Sequence, residues 1–128
     1  MSDLPVNAPG ASLYLGDCHA TQGDGELRGV ALEYPTVTTL QVDLIKKRTF
    51  KWPRLENDKF FRTIGSSRPM EDAARIAYRE LRRWMAADFG FEELEAYMLL
   101  TQCGRVRLGN MVDPKYTLAA SILKSYLT

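Results

Sequence analysis

The sequence has almost no excess of charge. Lys and Arg total 17 against 16 Asp and Glu, a net +1 over 128 residues, so no field attracts a nucleic acid or an anionic membrane. Long apolar runs are missing as well. The uncharged stretch at residues 96–103 falls far short of the roughly 20 residues a bilayer helix needs. Met1-Ser2-Asp3 is acidic and no apolar segment follows it, so no signal peptide is expected and the cytoplasm is the expected location. Cysteine is scarce: Cys18 and Cys103 lack CxxC spacing, which sets aside a zinc finger or disulfide framework and predicts reduced thiols. Repeats, low-complexity tracts and a long linker are all lacking. What remains is ordinary, 45% apolar and 26% charged, enough for a single domain over residues 1–128 with one core.

The first half of the chain has strand character. Residues 12–15 form a short apolar run that enters a Gly-rich turn, and residues 29–33 and 36–45 follow as candidate strands. In the second of these, Val37, Leu40, Val42 and Leu44 are set among Thr38, Thr39, Gln41 and Asp43, a half-buried strand pattern. Residues 46–58 are charged and contain Pro53, the signature of a surface loop. Residues 59–64 fit one more strand. From Pro69 the period changes: Ala73, Ala77, Leu81 and Trp84, widened by Ile76 and Met85, predict a helix over 69–89. Glu71 and Asp72 suit its positive end, and Gly90 its stop. A second helix is expected over about 91–102, ending at Gly104, then closing strands at 106–112 and 116–123. Strands, two helices and strands again predict an α+β fold with a mostly antiparallel sheet. Both helices and the strand at 37–44 are expected to supply its core.

Chemistry concentrates in residues 16–26, GDCHATQGDGE. This stretch holds the chain's single histidine, His19, with Asp17, Asp24, Glu26, Cys18, Gln22 and three glycines. Glycines let a loop fold tightly enough for polar side chains to converge. An imidazole with carboxylates can bind a divalent cation or form an acid/base pair. Composition alone favours plain structure: Asp-Gly pairs build hairpin turns, Asp17 can cap one, and a lone histidine is more often hydrogen-bonded structure than a ligand.

Residues 4–33, LPVNAPGASLYLGDCHATQGDGELRGVALE, resemble without a gap the signature region of the acetamidase/formamidase family, which shows GD-x-H-A-x-x-GDGE followed by G-x-A-x-E. Thr63-Ile-Gly65, Glu95-Ala-Tyr97-Met-Leu, Met111-Val-Asp113-Pro-Lys-Tyr-Thr117 and Ala120-Ser-Ile-Leu-Lys124 extend the likeness over nearly the whole chain. One departure is Cys103-Gly104-Arg105, where the family pattern has an aspartate before the strand.

The resemblance implies hydrolysis of short linear amides such as formamide or acetamide to ammonia and a carboxylic acid. It also implies Asp17 and His19 as the polar pair at the reacting centre and as metal ligands, with Asp24 as a second ligand or a support. Glu26 is implied as general base and Gln22 as a group that orients the amide substrate. A divalent metal, zinc or calcium, is the implied cofactor. Cys18 is not expected to be a nucleophile, because neighbours in an extended segment face opposite ways; Cys103 is expected in the core, and Glu33 and Glu95 as solvated or capping charges. Members of the family are longer, and this chain resembles their C-terminal part. The expected partner is therefore an N-terminal chain or, in a homo-oligomer, a second copy, with an unpaired strand edge near residues 4–15. The alternative is a non-catalytic assembly module; a metal- or small-molecule-binding protein has no motif of its own here.

Overall fold

The computed structural model describes residues 1–127. In chain order its elements are β1 (Ser2–Asp3), β2 (His19–Thr21), β3 (Leu32–Glu33), β4 (Arg54–Glu56), β5 (Phe60–Ser67), α1 (Met70–Phe89), α2 (Glu93–Cys103), β6 (Arg105–Asn110), β7 (Tyr116–Leu123) and a 3-10 turn at Lys124–Tyr126. The class is α+β, as the order of periodicities predicts. Five strands form an antiparallel sheet in the order β1-β4-β5-β7-β6, and β2 and β3 pair separately.

The core is the seam between α1 and the central strands. The 3.6-residue spacing places Ala73, Ala77, Leu81, Trp84 and Met85 on one buried face of α1. On β5 the two-residue period turns Phe61, Thr63 and Gly65 towards that face, and β7 adds Leu118, Ala120 and Ile122. Thr63 can be buried because its hydroxyl donates to the Ala77 carbonyl at 2.7 Å. At Gly65 the helix and sheet meet backbone to backbone: a Cβ there would lie 2.2 Å from the Ala73 carbonyl oxygen. α2 closes one end through Ala96 and Leu100. It starts with a reciprocal cap in which Glu95 accepts from the Glu92 amide, so Glu95 is a capping residue. Cys103 packs against the core as expected, and burial pushes its thiol pKa up.

Two sequence expectations need correction. The stretch 46–58 is not all surface loop, because β4 lies within it and pairs with β5. Arg54 is buried there, its guanidinium 2.8 Å from the equally buried Glu80 carboxylate and stacked near Phe50 and Trp84. Charge and Pro53 disguised a strand whose charge is internally paired. Conversely, residues 36–45 form no strand and their apolar side chains are exposed. They contribute nothing to the core, since no described strand runs beside them. The edge near residues 4–15 also stays in water: Leu4, Leu13, Tyr14 and Leu15 are all exposed.

Candidate active site

The Gly-rich loop is anchored to the β6–β7 hairpin. The Gly25 amide donates to the Leu108 carbonyl and the Met111 amide to that of Gly25, both at 3.0 Å. Gly25 has φ +83°, and a Cβ would lie 2.8 Å from the Leu108 side chain, so both its conformation and its packing call for glycine. Two non-glycine residues of the loop also adopt left-handed backbone, Asp17 at φ 57° and Glu26 at φ 46°. Such a conformation costs roughly 1–2 kcal/mol per residue and gathers at sites where the surrounding structure fixes side-chain direction.

The β2–β3 ladder then makes the site. It sets His19 opposite Glu33, and His19 Nε2 lies 2.9 Å from Glu33 Oε1 and 3.4 Å from Asp17 Oδ1. One ligand-type atom from each of Asp17, His19 and Glu33 lies within 4.8 Å of the others. His19 Nδ1 is 3.0 Å from Gln22 Oε1. The Gln22 amide nitrogen donates to the Gly109 carbonyl at 3.0 Å, which fixes the amide's orientation and makes Nδ1 the donor. Nε2 therefore presents a lone pair to the two carboxylates when the ring is neutral and a proton when it is charged. The His19 side chain is only 10% exposed, against 83% for Asp17 and 58% for Glu33.

These contacts hold the His19 pKa above the ordinary 6.5. The hydrogen bond to Gln22 contributes most; the charges of Glu33 and Asp17 add to it, and desolvation opposes them. An imidazolium fits this nest without any ion. The donor set also fits a divalent cation, since one nitrogen and two carboxylate oxygens converge and the opposite ring nitrogen is held by an acceptor.

The remaining residues singled out from sequence lie outside this group. Asp24 pairs with Arg107, a residue 83 positions on. Glu26 is half-buried, its carboxylate 3.4 Å from the Asn110 amide nitrogen; Asn110 also donates to Asp113 at 2.9 Å. Cys18 is half-buried and unpaired. Sequence reasoning passed over Glu33 as a ligand; its signal was the closing glutamate of the G-x-A-x-E segment. A separate groove of about 490 Å³ runs between α1 and α2, lined by Arg75, Tyr78, Arg79, Arg82 and Tyr97 among others, and none of the signature residues reaches it. No helix among the described residues is long and apolar enough to cross a membrane.

Residues 2–123 match the sequence pattern of the acetamidase/formamidase family. Among solved structures, an acetamidase from Yersinia enterocolitica shares 59% identity, with a TM-score of 0.97 over 99% of this chain and 38% of its own. An acetamidase from Bacillus halodurans shares 32% identity, with a TM-score of 0.77 over 84% of this chain and 37% of its own. A recombinant predicted acetamidase/formamidase from the thermophile Thermoanaerobacter tengcongensis has the same fold at 24% identity, with a TM-score of 0.70 over 85% of this chain and 36% of its own. None of the curated proteins matches. The chain thus spans well under half the length of the solved proteins it resembles.

Proposed function

Because the chain belongs to the acetamidase/formamidase family, we propose that it supplies the His19 half of an amidase site that cleaves the C–N bond of short linear amides. The observation that carries this reading is the convergence of Asp17, His19 and Glu33 across the β2–β3 pair. In amide hydrolysis a water oxygen adds to the carbonyl carbon and loses its proton to a base. The C–N bond then breaks, the nitrogen takes up that proton and leaves as ammonia, and the carboxylic acid remains.

Glu26, held by Asn110, is the base in this proposal: it takes the water proton and returns it to the departing nitrogen. Asp17, His19 and Glu33 would hold a divalent cation, zinc or calcium, with Asp24 set apart by its ion pair to Arg107. When bound, the cation supplies polarisation of the carbonyl and a more acidic water. Gln22 orients His19 here, a task that replaces direct contact with substrate. Asp17 and Glu33 are largely open to solvent, and catalysis on a weak electrophile needs water excluded. A partner chain that carries the rest of the family's fold, or a second copy of this chain, is the proposed cover, and the cytoplasm the proposed location.

The test is ammonia release from formamide and acetamide, with metal content measured on the same sample. The chain is assayed alone and together with the portion of the Yersinia acetamidase that it does not match. Steady release that falls about 100-fold or more in His19→Ala and Glu26→Gln is the expected result. Absence of release from an assembled, folded complex removes the amidase reading and leaves a non-catalytic assembly module, the reading that the open exposure of Asp17 and Glu33 favours.

A further inference from the structure

Residues 36–45 combine a strand pattern with no strand. Leu40, Val42 and Leu44 alternate with Gln41 and Asp43, and period-2 alternation is how a chain writes a half-buried strand. Yet the segment makes no backbone hydrogen bond to any described residue. Its only side-chain bond within the run joins Gln41 to Asp43 at 3.2 Å. All five of its apolar side chains, Ile45 included, are exposed, and so are Tyr14 and Val30 of the same arm. Single exposed apolar residues are normal on a protein surface, but a run of them along an unpaired backbone edge marks a place where another chain lies.

The conformation of the arm is not peculiar to this chain. The superposition on the Yersinia acetamidase takes in the arm together with the rest of these residues, and most of that enzyme lies outside the match. The arm therefore holds the same course in a protein that carries the remainder of the fold. That remainder is the occupant with a claim on this edge.

We propose that residues 36–45 are an interface strand: its backbone edge pairs with, and Leu40, Val42 and Leu44 on one face pack onto, the portion of the acetamidase fold that lies outside these 128 residues. This is strand addition, with main-chain bonds supplying affinity and alternate side chains supplying register. The inference rests on the reading that this portion completes the site, and it names the surface where the two meet.

The experiment combines the 128-residue chain with the unmatched portion of the Yersinia acetamidase and reads mass in solution and amide hydrogen exchange. A 1:1 complex is expected, in which amides 36–45 exchange at least roughly tenfold more slowly than in the chain alone. The double variant Val42→Asp/Leu44→Asp should lose the complex while keeping the melting temperature of the free chain, because neither side chain touches the core. Leu94→Asp/Met98→Asp, on the exposed face of α2, should keep the complex. The proposal is overturned by a complex in which 36–45 stay unprotected, by a complex that survives Val42→Asp/Leu44→Asp, by equal loss in the α2 pair, or by homodimers as the only assembly. Ammonia plays no part in these readouts, so a 1:1 complex without amidase activity removes the proposed reaction and leaves the interface standing.

Discussion

Gln22 decides what His19 can do. By accepting from Nδ1 it turns Nε2 towards Asp17 and Glu33, and it is the largest cause of the raised imidazole pKa. Gln22→Ala should therefore move the His19 titration down, read by NMR of the ring protons, and weaken divalent-metal binding by roughly 10–100-fold, the usual cost of losing the group that orients a ligating histidine. The metal-free chain should also show the linkage. A pKa raised on folding gives stability that is full below 6.5 and is lost as pH climbs through the higher folded value. Melting temperature should accordingly fall across that window in the native chain and stay flatter in His19→Ala. Metal binding runs the other way and strengthens as the proton leaves. At this scale Asp17, His19 and Gln22 were legible because the loop itself brings them together. Glu33 was not, because only the β2–β3 pairing carries it across 14 residues. The capture of Asp24 by Arg107 was beyond any local pattern.

Elements were legible where one face of a regular period meets one core. α1 and its stop at Gly90 follow directly from the spacing of Ala73, Ala77, Leu81 and Trp84, and Gly90 is left-handed at φ 74°. β4 was hidden because its arginine is buried by pairing, which hydropathy cannot express. That pair predicts its own energetics. Glu80→Ala should cost about 3–5 kcal/mol in urea unfolding, because it strands a buried guanidinium whose Nε already lacks a partner. Arg54→Met/Glu80→Leu together should come out near neutral. Gly65→Ala should cost about 3 kcal/mol or more by the same measurement, since the new methyl meets the Ala73 carbonyl at 2.2 Å and the Ala77 nitrogen at 2.7 Å. No rotamer relieves that clash, because both obstacles are main chain.

Over the whole molecule the two halves of the sequence behave differently. Residues 54–127 fold on themselves, with helices and strands that bury one another's apolar faces. Residues 4–45 hold to that body chiefly at the β6–β7 hairpin, with Gly25 against Leu108 and Met111, Gln22 on Gly109, Asp24 on Arg107 and Glu26 on Asn110. Val42→Ser/Leu44→Ser should thus change the unfolding free energy of the isolated chain by no more than about 0.5 kcal/mol, as for surface positions generally. A larger loss would place those side chains in the folding core. The strand character of 36–45 was written in the sequence; what the sequence could not supply was a neighbour for it.

An arm whose aliphatic side chains are buried along with its paired backbone also sets how the assembly responds to temperature. Burying Leu40, Val42 and Leu44, all in water in the chain alone, gives association a negative heat-capacity change, so its enthalpy grows more favourable on warming. The apolar driving force fades in the cold. Chilling should therefore loosen the joint between the two portions while each keeps its own fold, and a preparation that separates on ice should reassemble at room temperature.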